Sequence, residues 1–445
     1  MELYPLRLFC KKEMNKRILK LAIPNIISNI TIPLLGLVDT ALMGHLDSLI
    51  YIGAIALGSM IFNFIYWGLG FLRMGTVGFT GQAYGSKNKA EISLILYRAL
   101  SLAAIATVLI LALHPFIIEF GLSLTNSSVA IESEARNYFN IRIWALPATL
   151  ITLTLSGWFI GMQNTVFPMI IAITSNILNI AFSFFFVFYM EMKTEGVALG
   201  TVVAQYISLL VTIILFTYKY KKYLIAVVIN NIFNSKLIKL INVNKDIFIR
   251  TMGIIFVMSY FTIQSANISD TALAVNTVLF QFFIFFSYML DGFANAAEAL
   301  SAEAIGLKNL SLLKKVIKNS LKFGLIFSIL FSLIYAFMGE QIITLITDNN
   351  DVIKESNKLI YWVIAIPIIS FTAFIMDGVF IGATASKAMR NTLIISSLMI
   401  FLPLAKFGFG DEITKLWIAF LAFLFARGFL LLLYLKKSIF STIRL

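Results

Sequence analysis

Ala145-Leu146-Pro147, followed by Gly157-Trp158-Phe159-Ile160-Gly161, returns as Ala365-Ile366-Pro367, followed by Gly378-Val379-Phe380-Ile381-Gly382. The two copies stand half a chain apart. Gln82-Ala83-Tyr84-Gly85 and Glu303-Ala304-Ile305-Gly306 keep the offset that separates Gly157 from Gly378. A repeat on this scale predicts two tandem halves of similar fold.

Those halves belong in a membrane. The chain is 60% hydrophobic and 13% charged, with a mean hydropathy of +0.91, whereas a soluble domain carries about 25% charged residues. Apolar runs near twenty residues long suit membrane-spanning helices. Twelve occur, at 18–43, 50–72, 92–113, 138–161, 167–189, 196–218, 247–267, 273–300, 316–337, 359–382, 390–407 and 414–435. The ten-residue alternating strands of a membrane barrel are missing. The predicted fold is an all-α integral membrane protein of twelve transmembrane helices in two six-helix lobes. An even helix count per lobe gives both the same orientation, related by a pseudo-two-fold along the membrane normal. The boundaries read as an N-terminal lobe 1–218, a basic cytoplasmic linker 219–246 and a C-terminal lobe 247–445.

The net charge of +13 is distributed by topology. With the N-terminus inside, the external segments hold only Arg136, Lys193, Lys354, Lys358, Lys406 and Lys415 of the 35 Lys and Arg. That is the positive-inside bias, and it predicts cytoplasmic N- and C-termini in a bacterial plasma (inner) membrane. It points away from nucleic acid. The linker contributes Lys219, Lys221, Lys222, Lys236, Lys239 and Lys245, and Leu224–Ile241 reads as an amphipathic helix on the inner leaflet. Residues 1–20 are too basic for a signal peptide. Cys10 is the only cysteine, and His45 and His114 fall near external helix ends. Disulfides, thiol catalysis and a resident metal are therefore not expected. No Gly-x-x-x-x-Gly-Lys-Ser/Thr loop is present for ATP.

Small-residue pairs at Gly81/Gly85, Gly157/Gly161, Gly196/Gly200 and Gly378/Gly382 fit close helix-to-helix approach. Pro24, Pro33, Pro147 and Pro367 fall in or near helices, where proline removes a backbone hydrogen bond and bends the chain. Pro24 and Pro33 share a helix with a buried acid.

Ionisable groups at bilayer depth cost roughly 2.5–3.5 kcal/mol on insertion scales, so each needs a reason. They are Asp39, Arg73, Arg142, Asp291, Glu298, Asp377 and Arg427. At 100° per residue, Asn25 and Ser28 fall within about 40° of the Asp39 face. The fifth helix carries a matching stripe of Ser175, Asn179 and Ser183, with Asn176 beside it. Such stripes fit a water-filled cavity wall or a hydrogen-bonded interhelical cluster; Arg142 is the one serious first-half partner for Asp39. In the second half Ser287, Asp291, Asn295 and Glu298 share one face, and Ser370, Asp377 and Thr384 another. At the offset of the repeat, Asp377 meets Ser156 and Asp291 meets Gly70, an asymmetry that hints at chemistry. Arg427 could instead neutralise one of these acids in a structural ion pair.

With these residues in hand, the chain resembles the multidrug and toxic compound extrusion (MATE) transporters, most of all their DNA-damage-inducible F (DinF) branch. The likeness runs from about Met14 to Tyr434. It rests on Pro24 before Val38-Asp39-Thr40-Ala41, on Gln82-Ala83-Tyr84-Gly85, and on three second-half stretches: Leu290–Glu298, Met376–Ala383 and Ala426-Arg427-Gly428. The resemblance implies alternating access between two lobes, with amphipathic, often cationic compounds exported against an inward H⁺ or Na⁺ flow. It implies proton coupling at Asp39, a bend near Pro24, and a supporting cluster at Asn179 and Thr201. Relatives often carry a second carboxylate one turn after that asparagine, where this chain has Ser183. A sodium site wants several hard oxygens and compensating charge, so H⁺ is the expected coupling ion and Na⁺ the alternative.

The expected function is thus a monomeric cation-coupled antiporter for a small organic substrate in the lipid bilayer, without cofactor or nucleic-acid partner. A lipid or lipid-linked saccharide flippase of the same superfamily is the alternative. A membrane enzyme would show clustered acids or paired histidines, and a channel would show filter-forming repeats.

Overall fold

A computed structural model describes the backbone of residues 11–44, 49–125, 127–225 and 229–444, and their side chains except at 11–12, 32–44, 49, 229–230, 442 and 444. Among the described residues the fold is helical throughout, with no strand. The helices are α1 (Lys11–Gly44), α2 (Leu49–Leu69), α3 (Phe71–Gly85), α4 (Lys89–Ser123), α5 (Val129–Arg142), α6 (Leu146–Gly161), α7 (Val166–Phe184) and α8 (Thr194–Tyr220). A short α9 (Ile229–Ile232) lies in the connecting segment. Then come α10 (Ser235–Ile268), α11 (Asp270–Gly306), α12 (Leu310–Ile346), α13 (Asn350–Gly382), α14 (Ser386–Ile394), α15 (Leu402–Phe407) and α16 (Glu412–Leu435).

Eleven helical spans among the described residues are long and apolar enough to cross a membrane. With α1 they match the twelve apolar runs one for one. The protein is multi-pass. Two compact units divide the chain: Ile27–Leu240 forms one, and Met1–Ile26 with Ile241–Leu445 the other. The start of α1 therefore groups with the second half. Its ties there are an Arg17–Glu303 ion pair and Gly292, where a Cβ would stand 3.0 Å from the Ala22 carbonyl oxygen. Most of the connecting segment instead groups with the first half.

The internal repeat is written in the backbone. Lys87 and Lys308, which correspond in the two halves, both take positive φ (56° and 51°), as do Gln163 and Thr384 (62° and 52°). Asn88 caps α4 by accepting from Glu91 N at 3.0 Å, and Asn309 caps α12 by accepting from Leu312 N at 2.9 Å. Ser128 and Asn349 repeat the device for α5 and α13. Such caps each contribute about 1 kcal/mol.

The glycine pairs bring backbones together at the same offset. A Cβ on Gly157 would stand 2.5 Å from Arg73 O, and one on Gly378 2.2 Å from Ala294 O. For Gly161 the distance is 2.9 Å to Val77 O, and for Gly382 it is 2.2 Å to Glu298 O. Only glycine permits α6 on α3, or α13 on α11, at this separation.

Around these contacts each unit builds an apolar core. In the first half Phe62 stacks on Phe139 at 4.9 Å, and Trp158 meets Tyr220 edge-on at 5.0 Å. In the second half Phe261 packs on Trp417 at 5.1 Å. The Trp417 indole donates to Asn276 at 3.0 Å, whose amide in turn donates to Ser265 at 2.7 Å. The indole N–H, which apolar surroundings would leave unsatisfied, thereby finds a partner.

Candidate functional site

The first-half residues converge where α1, α7 and α8 meet. Asn176 donates to Thr31 Oγ1 at 2.6 Å, tying α7 to α1. One turn on, Asn179 donates to Thr201 Oγ1 at 2.9 Å, and Gln205 donates to Ser175 Oγ at 3.2 Å. α8 can come this close because Gly200 has no side chain: a Cβ there would stand 2.6 Å from the Ser183 nitrogen. Asn179 and Ser183 are buried, and Asn179 Oδ1 and Ser183 Oγ have no hydrogen-bond partner among the described residues. Two buried oxygens thus have no partner among the described residues, and a buried polar group left unpaired costs about 1–3 kcal/mol.

The remaining first-half candidates are placed differently. Asn25 turns back on its own helix, donating to Leu21 O at 2.9 Å, and it belongs to the unit that holds the second half. Ser28 offers its carbonyl to Thr31 Oγ1 at 2.7 Å. Asp39 and Pro33 lie within α1, but their side chains are outside the described residues. Arg142 donates to Ser59 Oγ at 3.2 Å and to the Tyr138 hydroxyl. Its guanidinium lies over Phe62 at 4.7 Å. α1 continues through Pro24, and the division between the two units falls two residues later.

The second half builds an ion cluster. Arg250 of α10 and Arg427 of α16 both donate to the same carboxylate oxygen of Asp377 on α13. All three side chains are buried. Arg427 is also packed between Phe374 and Phe423, 5.8 and 5.7 Å from their ring centres. Asp291 of α11 feels the Arg427 charge as well. Two guanidiniums therefore share one carboxylate. Asn295 and Glu298 are buried farther along α11, on the stretch that meets Gly378 and Gly382. A second ionic knot joins Asp246 to Arg390 at 2.6 Å and to Ser386 at 2.9 Å.

Arg250 and Thr31 are the members that sequence reading passed over. Arg250 follows a lysine-rich linker and reads there as one more interfacial charge. Thr31 reads as an ordinary helix threonine that bonds its own backbone, which it also does. A signal existed for Arg250 alone: it is the first base past Lys245 to fall inside an apolar run.

Comparison with known proteins follows the same two halves. The MatE family model matches residues 24–185 and again 247–406. DNA damage-inducible protein F of Escherichia coli (strain K12) is 35% identical over 416 residues, 93% of this chain and 90% of its own length. The Thermotoga maritima probable multidrug resistance protein NorM is 26% identical over 200 residues, 44% of this chain and 43% of its own. Among solved structures, an outward-facing multidrug resistance MATE family transporter of the MOP superfamily superposes with a TM-score of 0.88 at 16% identity, covering 97% of each chain. A Vibrio cholerae MATE transporter, VcmN, in its bent form gives 0.85 at 16% identity, covering 97% of this chain and 98% of its own. These two likenesses establish the fold.

Proposed function

The chain belongs to the MatE family of multi-pass secondary transporters, and from that premise we propose that it is an H⁺-coupled antiporter exporting amphipathic, cationic organic compounds. Asp39 is the coupling residue in this reading. The observation that carries it is the pair of buried oxygens, Asn179 Oδ1 and Ser183 Oγ, without a hydrogen-bond partner among the described residues, beside the Asn176–Thr31 bond that ties α7 to the helix bearing Asp39. Buried polar oxygens close to the coupling helix suit a site that gains and loses a cation.

The mechanism follows from burial. Low dielectric penalises a carboxylate, and protonation removes that penalty. A neutral Asp39 lets α1 repack near Pro24 and Pro33, biasing the lobe between outward- and inward-facing states. Substrate leaves on one side of that shift, and the proton travels inward on the return. Ser183 favours H⁺ over Na⁺ because a hydroxyl brings no charge to a site that must hold a bare metal cation. The Asp377 carboxylate is less suited to the role, since two guanidiniums already hold it.

Efflux of a fluorescent cation from proteoliposomes under imposed H⁺ or Na⁺ gradients tests the reading, with a labelled lipid-linked saccharide as the competing cargo. Asp39→Asn keeps shape and hydrogen bonding but fixes the neutral form. It is expected to reach the membrane at normal abundance and to lose gradient-driven efflux. Unchanged pH-driven efflux would move coupling to Asp291, Glu298 or Asp377.

The proposed orientation places both termini and the connecting segment in the cytoplasm of a bacterial inner membrane. In a Cys10→Ser background, cysteines at Asn231 and Ser441 should resist membrane-impermeant thiol reagents in intact cells, and one at Asn349 should react. External labelling at Asn231 overturns the orientation.

A further inference from the structure

On α12, Lys314, Lys318 and Lys322 recur every four residues and so share a face, with Lys315 beside them. They line a cavity of about 870 Å³ whose apolar wall is Leu325 of the same helix, Phe371 of α13 and Leu432 of α16. Neither Lys318 nor Lys322 has an ion-pair partner among the described residues. Asn319 also lines the cavity. It is only 5% exposed, and its Nδ2 has no hydrogen-bond partner among the described residues. A basic wall therefore borders this space, with the buried Asn319 among its lining residues.

The first half shows what such a place normally holds. At the offset of the repeat, Lys318 and Asn319 fall on Tyr97 and Arg98. Tyr97 donates to Ile225 O at 3.2 Å. Arg98 donates to Ile232 O at 3.2 Å and Asn231 O at 2.7 Å. The protein's own connecting segment supplies oxygen acceptors there. In the second half Lys318 and Lys322, without an ion-pair partner among the described residues, call for anionic acceptors.

We propose that this cavity binds the phosphate headgroup of an anionic phospholipid of the bilayer, of the phosphatidylglycerol or cardiolipin class. The lysines neutralise the phosphate charge while their stems lie along the apolar wall. The acyl chains continue along α12, where Leu325, Ile326, Ile329, Leu330, Leu333 and Phe337 are exposed. That apolar stripe, running on from the basic cavity, selects a lipid over free phosphate. The site lies within one unit and serves to seat a resident lipid.

Native mass spectrometry of the full-length protein, titrated with phosphatidylglycerol, phosphatidylcholine or glycerol phosphate, tests this. One phosphatidylglycerol should be retained in preference to phosphatidylcholine, and glycerol phosphate should not compete. Each lysine removed should weaken retention about fivefold, so Lys318→Gln with Lys322→Gln should weaken it about 25-fold. The control pair Lys219→Gln with Lys222→Gln should leave it unchanged. Equal retention of phosphatidylcholine, or equal loss in the control pair, overturns the proposal. Competition by glycerol phosphate also overturns it, and assigns the cavity to a soluble anion. Should the double variant misfold, a phosphatidylglycerol with a photoactivatable headgroup, applied to the unaltered chain, should label residues 311–325 and 371–372. Labelling spread over other helices counts against the site.

Discussion

The second membrane span of the first half is broken, and its counterpart is not. α2 ends at Leu69 and α3 begins at Phe71 around Gly70, whereas α11 runs unbroken through Asp291, the corresponding residue of the second half. The fourth span repeats the contrast: Ile143–Ala145 forms a 3₁₀ turn between α5 and α6, while α13 is continuous. The buried polar groups differ in the same sense. The second half locks a carboxylate between two guanidiniums, whereas Arg142 of the first half bonds a serine and a tyrosine hydroxyl. The two halves share a fold, but one buries the Asp377 ion cluster and the other breaks its second and fourth spans.

The largest test of this contrast is Asp377→Asn. Deleting the anion strands Arg250 and Arg427 as buried cations, a loss of about 3–5 kcal/mol. Thermal unfolding in detergent should shift sharply downward and membrane abundance should fall, with Arg427→Gln recovering part of both. Normal stability with altered substrate preference would mean that Asp377 serves the cavity, and the contrast between halves would collapse.

Gly382→Ala against Gly161→Ala sharpens the comparison at the packing level. The first drives a methyl to 2.2 Å from the Glu298 carbonyl oxygen, and the second to 2.7 Å from Thr80 Cβ and 2.9 Å from the Val77 carbonyl oxygen, a smaller overlap. Overpacking costs about 1–3 kcal/mol, and the second-half variant should take the larger share by thermal shift. The reverse order would make the first half the more tightly fixed of the two.

Thr31→Val is the smallest change. It removes the acceptor for Asn176 in a half-buried setting, worth about 1 kcal/mol. Stability should barely move while efflux falls, if the α1–α7 tie sets the geometry around the coupling helix. Equal efflux by the variant would reduce that bond to local packing.

The repeat, the twelve spans and most of the candidate residues were legible in the sequence, because hydropathy and small-residue spacing are set locally by what lipid permits. The breaks were not. Ala145-Leu146-Pro147 and Ala365-Ile366-Pro367 look alike, yet Pro147 opens α6 after a 3₁₀ turn and Pro367 sits inside α13. One extra residue between Pro367 and Gly378 alters the register, and only packing against neighbours decides which helix interrupts. Asp377 was legible as an acid needing a partner, and Arg427 as a candidate for it. Arg250 was hidden because its helix begins within the basic segment, so its depth depends on where the membrane cuts that helix.

The paired left-handed turns preserve an older record than any side chain does. Lys87 and Lys308 kept their identity, while Gln163 and Thr384 share only a backbone conformation that disfavours residues other than glycine, asparagine and aspartate. In each copy the turn residue's neighbour donates its amide to the carbonyl five residues back, Asn88 to Ala83 and Asn309 to Ala304, as Asn164 does to Phe159 and Ala385 to Phe380. At these corners the halves share the direction in which the chain leaves the helix, whether or not they share the residue. Ancestry here is inherited as chain geometry, and backbone torsions would trace the kinship of the halves after every matching letter had gone.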